Sequence, residues 1–308
     1  MVISSAIKVL RPIHWIKNLS LFGAIFLTGL IGQTQLLNHV IWAFFAFNFA
    51  TSATYIFNDI LDAKHDRLHP VKKHRPIASG KLPIYLAIIE AIILSFLALL
   101  ISSTLNHLFF LLVVGYLLMQ FFYSLGLKNL PVVDILIIAT GFIIRVYAGA
   151  LVIDAHLSVW FLLCVISVAL FLASGKRRAE LNVLKSTNEI TRMSLIRYQK
   201  ELLNSYVTMF GNASWMSWAL FTFFESPKAA LPFWLILAEI SKTTTVNKLL
   251  MATIPIVIFG IMRYEALIFE GKSEAPEKIL LTDKGLILAA ILWVSIVYWV
   301  VYSGISVA

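Results

Sequence analysis

Charge is what this sequence has least of. Only 13% of its 308 residues are Asp, Glu, Lys or Arg, against 60% hydrophobic, and the mean hydropathy is +0.87. That balance excludes an ordinary soluble domain. Apolar stretches long enough to cross a bilayer recur throughout and predict an all-α polytopic membrane protein. Cysteine is nearly absent too: Cys164 stands alone in an apolar run, which excludes an internal disulfide and suits a buried thiol. Without cysteine partners, His65, His69 and His74 lack the ligand spacing of a structural zinc site. No small-residue cleavage signature follows the basic N-terminal stretch, so the first apolar segment reads as a retained span.

Acidic residues number sixteen against 25 Lys and Arg, a formal charge of +9. In a soluble chain this excess would suggest nucleic acid. Here the placement of the basic residues gives a better account. Nine spans are expected, at about 18–34, 39–58, 82–104, 108–125, 132–153, 158–174, 203–223, 247–267 and 285–303. They leave charged loops near 59–81, 126–130, 175–201 and 269–284 in one transmembrane domain covering 1–308. The region 225–246 is too short in apolar residues to cross by itself and reads as an external loop on or dipping into the membrane. With this count, 21 of the 25 basic residues fall on one side and three on the other. A bias of that size makes the basic side cytoplasmic and the membrane the inner, plasma membrane.

Against so little charge, 58–80 stands out: N-D-I-L-D-A-K-H-D-R-L-H-P-V-K-K-H-R-P-I-A-S-G. Asp59, Asp62 and Asp66 lie within eight positions, and on a helix they fall within an arc of about 60°. Three carboxylates on one face repel unless cations sit among them. The pattern points to a divalent-metal site, Mg2+ by its hard oxygen donors, facing a phosphorylated ligand. Asn58 can add an amide oxygen. Lys72, Lys73 and Arg75 follow as phosphate partners, Arg75 with a bidentate fork. The plainer reading of the basic run is ordinary cytoplasmic-loop topology.

Other polar clusters gather on the same side. Lys17 and Asn18 follow R-P-I-H-W-I at the mouth of the first span, behind an interfacial segment carrying Lys8, Arg11 and Trp15. Tyr123, Lys128 and Asp134 bracket the junction of the fourth and fifth spans. Arg145 falls near mid-membrane, about 16 Å along the helix from Asp134, too far for direct pairing. It either lines a cavity and meets an anionic headgroup, or braces the bundle with a partner such as Glu90. Lys176 and Arg177 open the 175–201 loop as candidate phosphate contacts, although Lys176 can instead pair with Glu180 at i+4. Arg197, Tyr198 and Lys200 read as interfacial.

The string N-D-x-x-D-x-x-x-D resembles the first aspartate-rich motif of the UbiA superfamily of intramembrane prenyltransferases. Its longer form, through R-P-I-A-S-G, is similar to the decaprenyl-phosphate phosphoribosyltransferase branch, which supplies cell-wall arabinan. R-P-x-x-W-x-K-N at 11–18, Y-S-L-x-L-K-x-x-P-V-x-D-I at 123–135, G-K-R-x-A-E-L at 175–181, R-Y at 263–264 and P-E at 276–277 agree with that branch. The resemblance implies a nine-helix bundle around a central cavity open to the cytoplasm and to lipid. It implies that Asn58, Asp59, Asp62 and Asp66 serve an Mg2+-dependent diphosphate site, with Lys17, Lys73 and Arg75 as phosphate contacts. Tyr123, Lys128 and Asp134 match a second motif in which many relatives carry two aspartates.

The implied reaction moves a 5-phosphoribosyl group from 5-phosphoribosyl 1-pyrophosphate to a membrane polyprenyl phosphate. Asp59, Asp62, Asp66 and Asp134 are the expected catalytic residues. An ordinary prenyltransferase, with a lipid diphosphate as donor and an aromatic acceptor, is the alternative. A transporter using the carboxylates as a cation site is a further one. The expected partners are the two substrates and bilayer lipid, with no nucleic acid; assembly stays open, a homo-oligomer included.

Overall fold

The computed structural model of the chain describes residues 2–68, 72–187, 195, 197–225, 244–270, 279 and 282–302. Among them every regular element is helical. A short amphipathic helix, α1 (Val2–Val9), leads into a 3-10 segment, Pro12–Leu21, and a short α2 (Phe22–Leu27). Then follow α3 (Thr34–Asp66), α4 (Ile84–Leu105), α5 (His107–Leu125), α6 (Val133–Val152) and α7 (Val159–Thr187). After these come α8 (Lys200–Phe224), a second long 3-10 segment (Thr244–Thr253), α9 (Ile254–Phe269) and α10 (Lys284–Tyr302).

Seven of the described helical stretches are long and apolar enough to cross a membrane. The chain is an integral membrane protein. The expected span 203–223 falls in α8, which is long but carries Lys200, Glu201, Asn204 and Asn212. The expected span 18–34 is not one helix but the end of the 3-10 segment plus α2. Positions 226–243, most of the stretch expected as an external loop, and 271–278, most of the last charged loop, lie outside the described residues.

Two expected loops begin as helix, at 59–66 and 175–187. α3 has 33 residues. At 1.5 Å per residue it is about 50 Å long against roughly 30 Å of hydrocarbon, so its last turns extend beyond the apolar layer with Asn58–Asp66 on them. Likewise α7 continues through the charged run to Thr187.

Two close approaches set the site. A Cβ on Gly149 of α6 would lie 1.9 Å from the Leu21 carbonyl oxygen, so only glycine lets the 3-10 segment lie directly on α6. The second follows α3. Gly80 takes φ +75, and the Leu82 amide donates to the Pro76 carbonyl at 3.0 Å. The resulting turn folds Ile77 and Leu82 back into a buried cluster with Ala53, Ile56 and Ala63 of α3. That burial holds Arg75 over the end of α3.

Candidate active site

Arg75 Nη1 donates to Asp59 Oδ1 at 3.0 Å and to Asp66 Oδ2 at 2.7 Å. One guanidinium thus spans two carboxylates seven residues, about two helical turns, apart. Both carboxylates are buried. Asp59 has a second cation: Arg11 Nη2 lies 2.5 and 2.7 Å from its two oxygens. Arg11 reaches it from a left-handed backbone (φ 53) at the start of the 3-10 segment, with its guanidinium 5.1 Å from the Tyr55 ring centroid. Asp62, whose side chain is 31% exposed, turns elsewhere. Lys128 Nζ donates to Asp62 Oδ1 at 2.6 Å and to Asn58 Oδ1 at 3.1 Å, and Asn58 Nδ2 donates to Asp62 Oδ2 at 3.0 Å. The three carboxylates therefore divide between two cation groups. Among the described residues no three acidic, His or Cys side chains converge on one point.

Behind Lys128 the chain is anchored by a buried ion pair. Arg177 Nε lies 2.7 Å from Asp134 Oδ2, with both side chains fully buried. The same guanidinium pairs with Glu180 and donates to the Tyr123 hydroxyl at 3.1 Å. Tyr198 closes the network: its hydroxyl donates to Asp134 Oδ1 at 2.8 Å and accepts from the Val132 amide at 2.5 Å. Val132 has φ 69, a conformation strongly disfavoured for a β-branched residue. The Tyr198 hydroxyl bonds to this strained turn, and burial pushes its pKa well up, so it remains a donor.

Further along α6, Arg145 is buried and bonded to neutral groups. Its Nε donates to Asn18 Oδ1 at 2.6 Å, one Nη to the Gly141 carbonyl and the other to the Tyr116 hydroxyl at 3.2 Å. Asn18 Nδ2 in turn donates to Asn48 Oδ1 at 2.6 Å, which fixes the amide so that its oxygen faces the arginine.

Between these groups lies a cavity of about 410 Å³. Seven cationic side chains line it (Arg11, Lys17, Lys72, Arg75, Lys128, Arg145 and Lys176) against two carboxylates, Asp62 and Asp66. An excess of five positive charges gathered in one recess favours a multiply charged anion.

Residues 19–241 match the UbiA prenyltransferase family. The chain belongs to that family. Among curated proteins it is 35% identical over 303 residues to the decaprenyl-phosphate phosphoribosyltransferase of Corynebacterium glutamicum, covering 96% of this chain and 86% of that one. It is 33% identical over 300 residues to the Mycobacterium tuberculosis protein of the same name, covering 96% and 93%. The fold superposes on a UbiA homolog from Archaeoglobus fulgidus solved with GPP and Mg2+, with a TM-score of 0.70 at 17% identity over 96% of this chain and 99% of that one.

Within this UbiA fold, Lys17, Asn58, Asp62, Asp66, Arg75, Tyr123, Lys128, Arg145 and Lys176 all border the cavity. Other expected site residues do not. Lys73 is exposed, and its neighbour Lys72 takes the lining position. Asp59 lies just beneath the surface, holding Arg11 and Arg75. Asn18, Asp134 and Arg177 are fully buried and absent from the lining, each bonded to neighbouring side chains. Arg145 bonds to Asn18, Gly141 and Tyr116 and not to Glu90, and Glu180 pairs with Arg177. Arg11, Tyr116 and Tyr198 were not legible as site residues. The R-P-x-x-W-x-K-N string held the signal for Arg11, whereas Tyr198 had none nearby.

Proposed function

We propose that this UbiA-family transferase moves the 5-phosphoribosyl group of 5-phosphoribosyl 1-pyrophosphate to a decaprenyl-type polyprenyl phosphate, releasing pyrophosphate, for cell-wall arabinan synthesis. The observation that carries the reading is the cavity's charge: seven cations and two carboxylates suit a donor with three phosphoryl groups. The names of the relatives that align along nearly the whole chain support it.

The step breaks the bond between ribose C1 and the pyrophosphate oxygen, and the electron pair leaves with pyrophosphate. An oxygen of the lipid phosphate bonds to the opposite face of C1. That phosphate is already ionised, so no general base is required. Lys128, Arg75 and Arg11 stabilise charge growing on the leaving group, while the recess aligns the two substrates. Asp59 and Asp66 hold the guanidiniums in register.

The donor set fits Mg2+: Asn58 Oδ1 and Asp62 Oδ1 already gather one cation, the Lys128 ammonium, and hard oxygens from one or two carboxylates are what this ion takes. Asn58 and Asp62 would hold it, with Asp59 and Asp66 as flanking acids. When bound, the ion neutralises charge on the leaving diphosphate. The reading further takes 1–308 as one nine-span catalytic domain in the inner membrane, its central cavity open to the cytoplasm, with a homo-oligomer compatible.

The test is to incubate the purified protein with 5-phosphoribosyl 1-pyrophosphate and decaprenyl phosphate, with and without Mg2+. A phosphoribosyl lipid formed only with the metal is the expected result. Product formed solely from a prenyl diphosphate and an aromatic acceptor would overturn it in favour of ordinary prenyl transfer.

A further inference from the structure

Arg145 lines the cavity from α6. It is twelve residues into α6, about 18 Å along the axis from Val133 and the adjoining Lys128 turn. Its side chain is buried, and its partners are an amide oxygen, a backbone carbonyl and a tyrosine hydroxyl. Among the described residues it has no carboxylate partner. A guanidinium has five N–H donors, and three acceptors account for three of them. A charge held inside a membrane bundle without a counter-ion is strongly unfavourable, and arrangements of this kind mark ligand paths.

Gly141 supplies an independent observation. A Cβ built on it would lie 3.3 Å from Arg145 Nη1, 3.6 Å from Gln120 Nε2 and 3.9 Å from the Tyr116 ring. All four residues line the cavity. These are close contacts, so a side chain at 141 would press on the guanidinium and the primary amide, and glycine leaves both free to face the cavity.

We propose that Arg145, Gln120 and Tyr116 form, over Gly141, a second anion subsite that takes a phosphate monoester. The inference rests on the phosphoribosyl-transfer reading. Asn58, Asp62, Lys128 and Arg75 belong to the two cation–carboxylate groups that serve the diphosphate, and Arg145 belongs to neither. The two phosphates that remain in the reaction, the donor's 5-phosphate and the lipid acceptor's, are both monoesters. Either supplies the counter-charge that Arg145 lacks, and Asn18, fixed by Asn48, keeps the guanidinium turned to receive it.

Gly141→Ala is the test, because alanine suits a helix better than glycine and the added methyl presses on Arg145 Nη1, shifting the guanidinium without removing its charge. Binding of ribose 5-phosphate, decaprenyl phosphate and inorganic pyrophosphate to the full chain in detergent is measured calorimetrically, with no turnover involved. The variant is expected to lose about tenfold or more in affinity for one monoester while pyrophosphate binding is unchanged. Loss for ribose 5-phosphate assigns the subsite to the donor, and loss for decaprenyl phosphate assigns it to the acceptor. Gln120→Leu should weaken the same monoester, and Arg145→Lys should weaken it less than Arg145→Gln. Unchanged affinity for both monoesters, or an equal loss for pyrophosphate, overturns the subsite. If the wild-type protein makes no phosphoribosyl lipid and yet binds a monoester in a Gly141-dependent way, the reaction assignment fails and the subsite stands.

Discussion

Arg177 Nε and Asp134 Oδ2 lie 2.7 Å apart with neither side chain reaching solvent. Such a pair is poor ground for stability but severe to break on one side, since the surviving charge stays buried. Asp134→Ala leaves the Tyr198 hydroxyl without its acceptor and Arg177 with Glu180 as its remaining acidic partner, so a loss of about 1–3 kcal/mol is expected. The triple variant Asp134→Leu, Arg177→Met and Glu180→Gln, which removes all three charges, should recover much of that loss. Thermal unfolding in detergent checks both. If Asp134 took part in the chemistry directly, the triple variant would regain stability and remain inactive. The geometry predicts that activity returns with the fold.

Tyr198 joins that pair to the strained Val132 turn. Tyr198→Phe leaves the Val132 amide without its acceptor and should cost about 1–3 kcal/mol. The pH dependence has a definite sign. Burial raises the folded pKa above the unfolded value, so the hydroxyl's stabilisation is complete below the ordinary tyrosine pKa of about 10 and is lost as pH rises past it. The difference in melting temperature between wild type and Tyr198→Phe is expected to hold from pH 7 to 9 and to shrink at higher pH. A difference growing with alkalinity would contradict the donor role.

The carboxylates of the first motif should not be equivalent. Asp62 and Asn58 share the Lys128 ammonium, whereas Asp59 grips two arginines. Asp62→Asn is expected to lower Mg2+-dependent kcat on the order of 10²-fold. Asp59→Asn acts through Arg11 and Arg75, so its main effect should be a higher KM for the donor. Steady-state kinetics against both substrates separates the two patterns.

Arg11 is a cavity cation from outside the aspartate-rich stretch. Arg11→Gln removes one charge from the phosphate-facing set and is expected to raise the donor's KM by roughly tenfold. The KM for the lipid phosphate should change little, and the defect should be smaller at high ionic strength, where screening weakens the wild-type contact.

Much of this architecture was readable because its spans are long apolar runs. Run length located most of them, and the spacing of Asp59, Asp62 and Asp66 fitted the helical face they occupy. Run length failed where a charged stretch continues a helix, as at the ends of α3 and α7, and where a short apolar stretch forms a 3-10 segment. Asp134 and Arg177 were read as ligand-facing because a charge near a membrane suggests function. That they satisfy each other depends on α6 packing beside α7, which no local pattern records. Tyr198 lies 64 residues from its partner Asp134, and Arg11 lies 48 from Asp59, so contacts of this kind emerge only from the folded chain.

The central claim is that Asn58 and Asp62 receive a metal-bound diphosphate beside Lys128. Equilibrium dialysis of the purified protein with Mn2+ in place of Mg2+, together with 5-phosphoribosyl 1-pyrophosphate, tests it directly. The wild-type protein should retain metal and donor together in equal amounts, and Asp62→Asn should retain neither above background at the same concentrations. Equal retention by that variant, with its fold intact, would contradict the account.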